Sequence, residues 1–192
     1  MPLSSSAPRK RVHTRIIECV GYEREDGLWD IEGHLTDVKT QLLMRPETGK
    51  VIKPGTATHD MWMRLTIDIR FTIHLVEVVM DAYRFPICAE ILPNFQKLVG
   101  LTIGRGFKKA VKNLVGDIHG CTHLSELIGR MATTAYQATN QARGEREGFN
   151  SENRGRHLIN TCRTYASDSQ VVLERFPNLY TGSRTQSGSN IL

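Results

Sequence analysis

The chain has 192 residues, of which 40% are hydrophobic and 23% are charged, and this composition predicts a globular protein with its own core. No apolar run reaches the roughly 18 to 20 residues of a membrane span, and residues 1–12 lack the apolar segment of a secretory signal. The formal net charge is +5, but the basic residues fall in expected tails and loops and form no basic groove with interleaved aromatics. We therefore expect a cytoplasmic protein that binds neither membranes nor nucleic acids.

The periodic apolar pattern that builds a core begins after residue 12 and ends before residue 181. Residues 1–12, which are basic, and the Ser/Gly/Thr/Asn-rich residues 181–192 contain no such pattern, so we predict two disordered tails. The remaining residues, 13–180, have a length typical of a single domain.

Short segments in which apolar and polar residues alternate predict an antiparallel sheet in the first half of the chain. Residues 15–22 and 29–36 are predicted to be strands of a hairpin, joined by a polar turn at residues 25–27. Residues 61–70 carry apolar side chains at every second position, which is typical of a strand with one buried face. Residues 73–83 are expected to pair with this strand antiparallel, although no Asn-Gly type of turn marks the reversal.

Helical spacing replaces the alternation after Pro86. Apolar residues at positions 88 to 99 predict a helix that Gly100 ends, with Pro93 tolerable only in its first turn. A short helix is predicted over residues 107–114, and a longer amphipathic one over residues 124–138 with Thr122 as N-cap. Residues 142–156 are polar and Gly-rich, and weaker helical patterns follow at 158–165 and 169–176. The predicted strands precede the predicted helices along the chain. This order predicts an α+β fold in which helices pack on one face of an antiparallel sheet.

The most suggestive group of reactive side chains lies where the longest predicted helix begins. Cys121 and His123 are two residues apart and can aim at one point, and a helix start favours the thiolate that a metal binds. Cys88 stands at another predicted helix start, so the two cysteines could converge on one metal. In a reducing compartment, disulfides are not expected. The alternative is that both cysteines pack as small apolar residues and that His123 is a polar surface residue.

A second pair of candidates, His59 and Asp60, stands where the clearest strand begins. Adjacent strand residues point to opposite faces, so one of the two is expected to face the metal, while the other supports the ligands or carries a proton. Glu90 is a further candidate proton carrier. The alternative is a turn or capping role for Asp60 and a solvent position for His59.

Four segments resemble an uncharacterised bacterial family that is catalogued as a domain of unknown function. They lie within residues 26–141 and read Asp26-Gly-Leu-Trp-Asp-Ile-Glu-Gly33, His59-Asp60-Met61, Phe85-Pro-Ile-Cys88 and Gly120-Cys-Thr-His-Leu124. The resemblance implies no activity by itself. The association of such proteins with aromatic-acid and acyl-thioester catabolism suggests a class of substrate.

A second resemblance rests on three segments, Thr58-His-Asp60-Met-Trp-Met-Arg-Leu-Thr-Ile67, Asp81-Ala-Tyr-Arg-Phe-Pro-Ile-Cys88 and Gly120-Cys121-Thr-His-Leu124. They are more distantly similar to the NifU-type iron–sulfur cluster scaffold family. There, an Asp at a strand start, a Cys at a helix start and a His-Cys pair before the last long helix surround zinc or a nascent cluster. The resemblance implies a scaffold-like fold and ligand positions for Asp60, Cys88 and Cys121. Thr58 stands in place of the family's first cysteine and Gly120 in place of its histidine, and the loss of a thiolate favours zinc or a mononuclear metal over a cluster.

We therefore predict one metal site with zinc as its ion and with Asp60, Cys88, Cys121 and His123 as ligands, where water takes the place of Asp60 if the site is open; iron or an iron–sulfur cluster is the alternative cofactor. An open zinc site would activate water toward a thioester or other polarised carbonyl of a small substrate such as an aromatic acid, with His59, Asp60 or Glu90 as the catalytic proton carrier. Two non-enzymatic alternatives stay open, a metal or iron–sulfur carrier serving a metal-accepting protein, and a module with a structural zinc. Formation of a homo-oligomer is also left open.

Overall fold

The computed structural model describes residues 3–45 and 49–183. The segments in which apolar and polar residues alternate form strands. In chain order the strands are β1 (His13–Glu23), β2 (Trp29–Lys39), β3 (Leu43–Met44), β4 (Val51–Ile52), β5 (Ala57–Ile67) and β6 (Ile73–Ala82). Strands β1, β2, β5 and β6 lie side by side in one antiparallel sheet, and β3 pairs with β4 in a separate ribbon that was not predicted. The predicted hairpin and the antiparallel pairing of β5 with β6 are confirmed.

The reversal between β5 and β6 uses a side chain in place of a common turn sequence. The Asp68 carboxylate accepts hydrogen bonds from the backbone N–H groups of Arg70 and Thr72 at 2.8 and 2.9 Å. Phe71 adopts a left-handed conformation with a φ of 69°, which is uncommon for a residue other than glycine. These contacts end β5 at Ile67, earlier than the predicted residue 70, and explain why no Asn-Gly type of turn is needed.

One face of the sheet is apolar and lies under helix α2 (Thr122–Ala138). Alternate residues of β2 and β5 on this face are almost fully buried, among them Ile31, Leu35, Met61 and Leu65. The helix contributes a buried stripe at helical spacing, made of Leu124, Leu127, Ile128, Met131 and Ala135. The predicted amphipathic helix is confirmed, but its N-cap is Cys121, and Thr122 is already its first helical residue.

Two longer helical segments and one short 3-10 turn lie between β6 and α2. The predicted helix after Pro86 is a 3-10 helix, Pro86–Leu98, and not an α-helix. Pro93 lies inside it, removes a backbone donor and has a ring that opposes a regular α-helical turn. The predicted short helix is confirmed as α1 (Phe107–Val115), which ends at Gly116, and a single 3-10 turn, Asp117–His119, follows. Strands followed by helices confirm the α+β class.

Gly33 in β2 allows α2 to approach the sheet closely. A Cβ atom at this position would lie 2.8 Å from the sulfur of Met131 and 2.9 Å from Leu127. We expect Gly33→Ala to lower the free energy of unfolding by about 1–3 kcal/mol, because buried side chains would have to shift. The control is Gly129→Ala within α2, where an added Cβ meets nothing within 4 Å, so this variant should gain about 0.5–1 kcal/mol. Urea denaturation measures both changes, and equal effects would contradict the close approach.

The chain divides into two compact units, Met1–Thr139, which contains the sheet, and Asn140–Leu192. The described part of the second unit contains α3 (Asn140–Glu147), α4 (Glu152–Leu158) and α5 (Gln170–Arg175). The polar residues 142–156 are thus largely helical. Arg154 of α4 is buried and donates a hydrogen bond to Asn140 Oδ1 of α3 at 2.6 Å, and this contact joins the two helices. The prediction of a helix at residues 158–165 was wrong. The helix predicted at residues 169–176 is confirmed as α5, and Ser169 Oγ caps it by accepting a hydrogen bond from the Val172 N–H.

The two predicted tails are only partly within the described residues. Residues 3–12 are exposed and contain neither strand nor helix, while residues 184–192 lie outside the described part of the chain. The bounds predicted for a single domain, residues 13–180, stay a prediction. No helix within the described residues is long and apolar enough to cross a membrane.

Candidate metal centre

Three polar side chains form a row across neighbouring strands near one end of the sheet. Arg15 of β1 stands opposite Asp37 of β2, which in turn stands opposite His59 of β5. Residues directly opposite each other in antiparallel strands share a face, and this face is the one under α2. Because Asp37 is only 1% exposed, the row places a carboxylate on the buried side of the sheet.

Helix α2 brings a second imidazole to this row. His123 lies in the first turn of α2, and its Nε2 is 3.4 Å from Asp37 Oδ2. The ring centroids of His123 and His59 are 4.0 Å apart. The other ring nitrogen of His123, Nδ1, lies 3.7 Å from Sγ of Cys121, the N-cap residue of the helix. The start of α2 therefore places His123 between a thiol and a buried carboxylate.

Both oxygens of the Asp37 carboxylate have hydrogen-bond partners. Arg15 donates to both, with Nε 2.8 Å from Oδ1 and Nη2 2.7 Å from Oδ2. His13 Nε2 lies 3.0 Å from Oδ1, and His59 Nδ1 lies 3.0 Å from Oδ2. The hydroxyl of Thr58 donates to the backbone carbonyl of Asp37 at 3.1 Å. A buried carboxylate with these partners is fixed in one orientation.

The protonation states at this group follow from burial and charge. Burial opposes ionisation of Asp37, yet the hydrogen bonds and charge of Arg15, and then those of His59, hold its pKa well below the ordinary range. Burial lowers the pKa of His59, although the hydrogen bond that its Nδ1 makes to the Asp37 carboxylate opposes this shift. Burial also lowers the pKa of His123, and the charges of His59 and Arg15 add to this effect. An ionised carboxylate and neutral imidazoles are the forms that bind a metal.

Asp37, His59 and His123 form a group that could hold one metal ion. Their ligand atoms all lie within 4.8 Å of one another, and no other such group of three His, Cys, Asp or Glu occurs in residues 3–45 and 49–183. Zinc binds N and O ligands at roughly 2.0–2.1 Å, so two ligand atoms of a tetrahedral site are about 3.3–3.4 Å apart. The distances from Asp37 Oδ2, 3.0 Å to His59 Nδ1 and 3.4 Å to His123 Nε2, are close to that spacing.

A metal ion beside Asp37 would share the carboxylate with the guanidinium of Arg15. A metal on Oδ2 would share that oxygen with the hydrogen bond from Arg15 Nη2, while Oδ1 keeps its contacts with Arg15 Nε and His13. The carboxylate ligands of metal sites are commonly hydrogen-bonded. The group offers a single carboxylate and two imidazoles, so it does not suit Ca²⁺, which relies on several oxygen ligands. Two imidazoles and one carboxylate instead suit catalytic zinc or mononuclear Fe(II).

Of the six residues predicted from the sequence, His59 and His123 belong to this group, and Asp60 does not. Asp60 points to the opposite face of the sheet, where its Oδ1 is 2.7 Å from His34 Nε2. There the His34 ring stacks on Trp62 with ring centroids 3.5 Å apart. Adjacent residues of β5 thus face opposite sides, and His59, predicted as a proton carrier, is the one beside Asp37. The ligand role of Asp60 stays a prediction.

The other three predicted residues lie outside the group. Cys88 and Glu90 are in the 3-10 helix Pro86–Leu98, where Cys88 is partly buried and Glu90 is exposed. Cys121 is next to the group through its contact with His123. All four cysteines are free. Metal binding by Cys88 and Cys121 and a catalytic role for Glu90 stay predictions.

Three functional candidates, Asp37, Arg15 and His13, were not predicted from the sequence, although a signal for Asp37 exists. Positions 29, 31, 33 and 35 of β2 are buried and are occupied by Trp, Ile, Gly and Leu, and Asp37 is the next position of that series. A charged residue on a buried face must have partners. The strand was expected to end at residue 36, and the signal was therefore missed.

A four-stranded antiparallel sheet, an amphipathic helix across one face and an Asp/His/His group between them define an α+β protein with a candidate metal centre. Residues 13–137 match the family described as "Protein of unknown function (DUF2889)", and the chain belongs to that family. The predicted membership of an uncharacterised family is thereby confirmed. No curated protein and no solved structure matches the chain. The resemblance to NifU-type scaffolds gains no support from these comparisons and stays a prediction.

Proposed function

We propose that Asp37, His59 and His123 bind one transition-metal ion, zinc in the first place, and that the protein is a small metal-dependent hydrolase. One observation carries the proposal, the two imidazoles and the buried carboxylate within 4.8 Å of one another. Three protein ligands leave one tetrahedral position for water or substrate, as in catalytic zinc sites, whereas structural zinc sites have four protein ligands.

Access from solvent supports a reactive site. The side chains of His59 and His123 are 21% and 20% exposed, while the side chain of Asp37 is 2% exposed. A small molecule can therefore approach the imidazole side of the group. The carboxylate stays shielded from water, which strengthens its electrostatic interactions.

The proposed substrate is a thioester, or another polarised carbonyl compound, of a small acid such as an aromatic acid. A bound zinc ion would polarise the carbonyl group of the substrate or lower the pKa of a bound water molecule. In thioester hydrolysis water adds to the carbonyl carbon, the C–S bond breaks, and a carboxylic acid and a thiol are released. His13 is 37% exposed and lies 3.0 Å from Asp37 Oδ1, so it is placed to move a proton at the edge of the site. Glu90 stays a second candidate proton carrier.

A metal carrier is the main non-enzymatic alternative and would use the same three ligands. A carrier needs an exchangeable ion and a metal-accepting partner, whereas an enzyme needs a substrate site beside the ion. An iron–sulfur cluster requires thiolate ligands, and neither Cys88 nor Cys121 belongs to the group. The donor set therefore favours a mononuclear metal over a cluster.

One contact favours a second candidate function, acyl transfer through Cys121 without a metal. Cys121 Sγ is 3.7 Å from His123 Nδ1, and His123 Nε2 is 3.4 Å from Asp37 Oδ2. The order thiol, imidazole, carboxylate is that of cysteine–histidine acyl-transfer sites. In this case His123 takes the proton of the Cys121 thiol, and the thiolate attacks the carbonyl carbon. The C–S bond of the thioester breaks, and His123 gives the proton to the leaving thiolate. Water then hydrolyses the new acyl–sulfur bond, which releases the carboxylic acid and restores the Cys121 thiol.

Metal analysis combined with chelation distinguishes these functions. Protein equilibrated with zinc and desalted should retain one zinc per chain, because three fixed ligands are available. Hydrolysis of the benzoyl thioester of N-acetylcysteamine, followed by thiol release, should stop when zinc is removed and resume on its return. Activity that survives chelation but disappears in Cys121→Ser would support acyl transfer. No retained metal and no thiol release would contradict the proposal, and iron in place of zinc in the elemental analysis of the purified protein would indicate the alternative metal.

A further inference from the structure

A groove between β1 and α2 lies beside the metal centre. Its volume is about 630 Å³, within the roughly 300–1,000 Å³ typical of small-molecule sites. Strand β1 contributes alternate residues and α2 contributes residues about one turn apart. The lining, called the β1–α2 groove from here on, consists of Arg15, Ile17, Cys19, Arg130, Thr133 and Thr134. Arg15 also binds Asp37, so the groove and the metal centre share a side chain.

Arg130 gives the β1–α2 groove a cation that has no acidic partner among residues 3–45 and 49–183. Glu126, one turn earlier on α2, is the expected partner in a helix, but it is bound by Arg15 Nη1 at 2.8 Å. The described part of the chain shows no salt bridge to Arg130. Its guanidinium is therefore available to an anion from solution.

The rest of the lining combines hydroxyl donors with an apolar wall. Thr133 is exposed and follows Arg130 by about one helical turn. Thr134 hydrogen-bonds the Cys19 thiol, whose pKa is raised by burial against that bond. Cys19 is therefore a neutral residue here, and with Ile17 it forms the apolar part of the groove.

We propose that the β1–α2 groove binds the anionic group, a carboxylate or a phosphate, of the small molecule whose carbonyl reacts at the metal centre. This inference rests on the proposed function. Guanidinium binds both anions through two parallel N–H donors, and the hydroxyl of Thr133 can add another donor. An acyl or aromatic portion packs against Ile17 and Cys19. The substrate thus carries its negative charge at some distance from its reactive carbonyl.

NMR titration of the full-length, zinc-free protein tests the groove without requiring catalysis. Benzoate and inorganic phosphate are added separately at constant ionic strength, and saturable shifts are expected at the amides of Thr133 and Thr134. Arg130→Gln should weaken binding roughly ten- to one-hundredfold, because one charge-assisted pair is lost. Arg105→Gln removes the same charge from an exposed residue outside the groove, and it should bind like the wild-type protein.

The two anions identify the chemistry of the substrate. Binding of benzoate indicates a carboxylate, binding of phosphate indicates a phosphorylated molecule, and either supports the groove if it depends on Arg130. Shifts that do not saturate, or equal affinities in wild-type and Arg130→Gln, would overturn the inference. The titration uses zinc-free protein. If no anion binds, the proposed metal site is not contradicted, and if no metal binds, the anion can still bind in the groove.

Discussion

Replacing Asp37 with asparagine is expected to abolish stoichiometric zinc binding. Asparagine keeps the shape of the side chain but replaces the anionic oxygen beside His59 and His123 with a neutral group. Partners that only support metal ligands are worth about ten- to one-hundredfold in affinity, so loss of a ligand itself should exceed about one-hundredfold. Elemental analysis of desalted protein and competition with a chromophoric chelator measure the loss. Circular dichroism establishes that the variant is folded.

The matched control lies on the other face of the same strands. His34 and Asp60 pair there at 2.7 Å, much as His59 and Asp37 pair at 3.0 Å under α2. His34→Gln and Asp60→Asn should therefore retain zinc, whereas His59→Gln should lose it. Loss of zinc in Asp60→Asn with full retention in Asp37→Asn would contradict the proposed ligands.

Cysteine variants separate the proposed ligands from those predicted from the sequence. Cys88→Ser should retain zinc, because Cys88 lies outside the Asp/His/His group. Cys121→Ser should also retain zinc, since Cys121 contacts the Nδ1 of His123 and not the nitrogen that faces Asp37. Loss of zinc in both variants, with retention in Cys19→Ser, would instead support a site with two thiolates.

The sheet and the long helix could be predicted because their residues follow a local period. Alternation over residues 61–70 and helical spacing over residues 124–138 are local properties, and the structure places β5 and α2 there. The 3-10 helix after β6 depends on Pro93 within an otherwise helical pattern. The joining of α3 to α4 depends on a buried arginine, Arg154, which periodicity would assign to solvent.

The candidate site could be predicted only in part because it depends on strand register. The sequence marks His59 and His123 as reactive side chains beside element ends, but their common partner, Asp37, comes from another strand. Which residue of β2 stands opposite His59 is decided by the pairing of whole strands, including a bulge after Asp37. Resemblance and spacing favoured Asp60, which alternation turns to the opposite face.

Replacing Arg15 with methionine is expected to lower the free energy of unfolding of the zinc-free protein by about 1–3 kcal/mol. Arg15 donates to both oxygens of a carboxylate that is almost fully buried. Methionine keeps a long apolar side chain but offers no donor, so the charge of Asp37 stays buried with fewer partners. His13 and His59 remain beside it, which keeps the loss below the roughly 3–5 kcal/mol of a broken buried ion pair.

Arg64 on the opposite face is the matched control for Arg15. It also bridges two carboxylates, Glu32 at 2.8 Å and Glu77 at 2.6 Å, but their side chains are 32% and 55% exposed. Water can replace the guanidinium there, so Arg64→Met should change stability by no more than about 1 kcal/mol. Urea denaturation of both variants makes the comparison. Equal losses of unfolding free energy would show that the burial of Asp37 does not determine the effect of removing its arginine partner.

A double variant tests the same explanation. In an Asp37→Asn background, Arg15→Met should lower the free energy of unfolding by less than in the wild-type protein, because no buried charge is left without its partner.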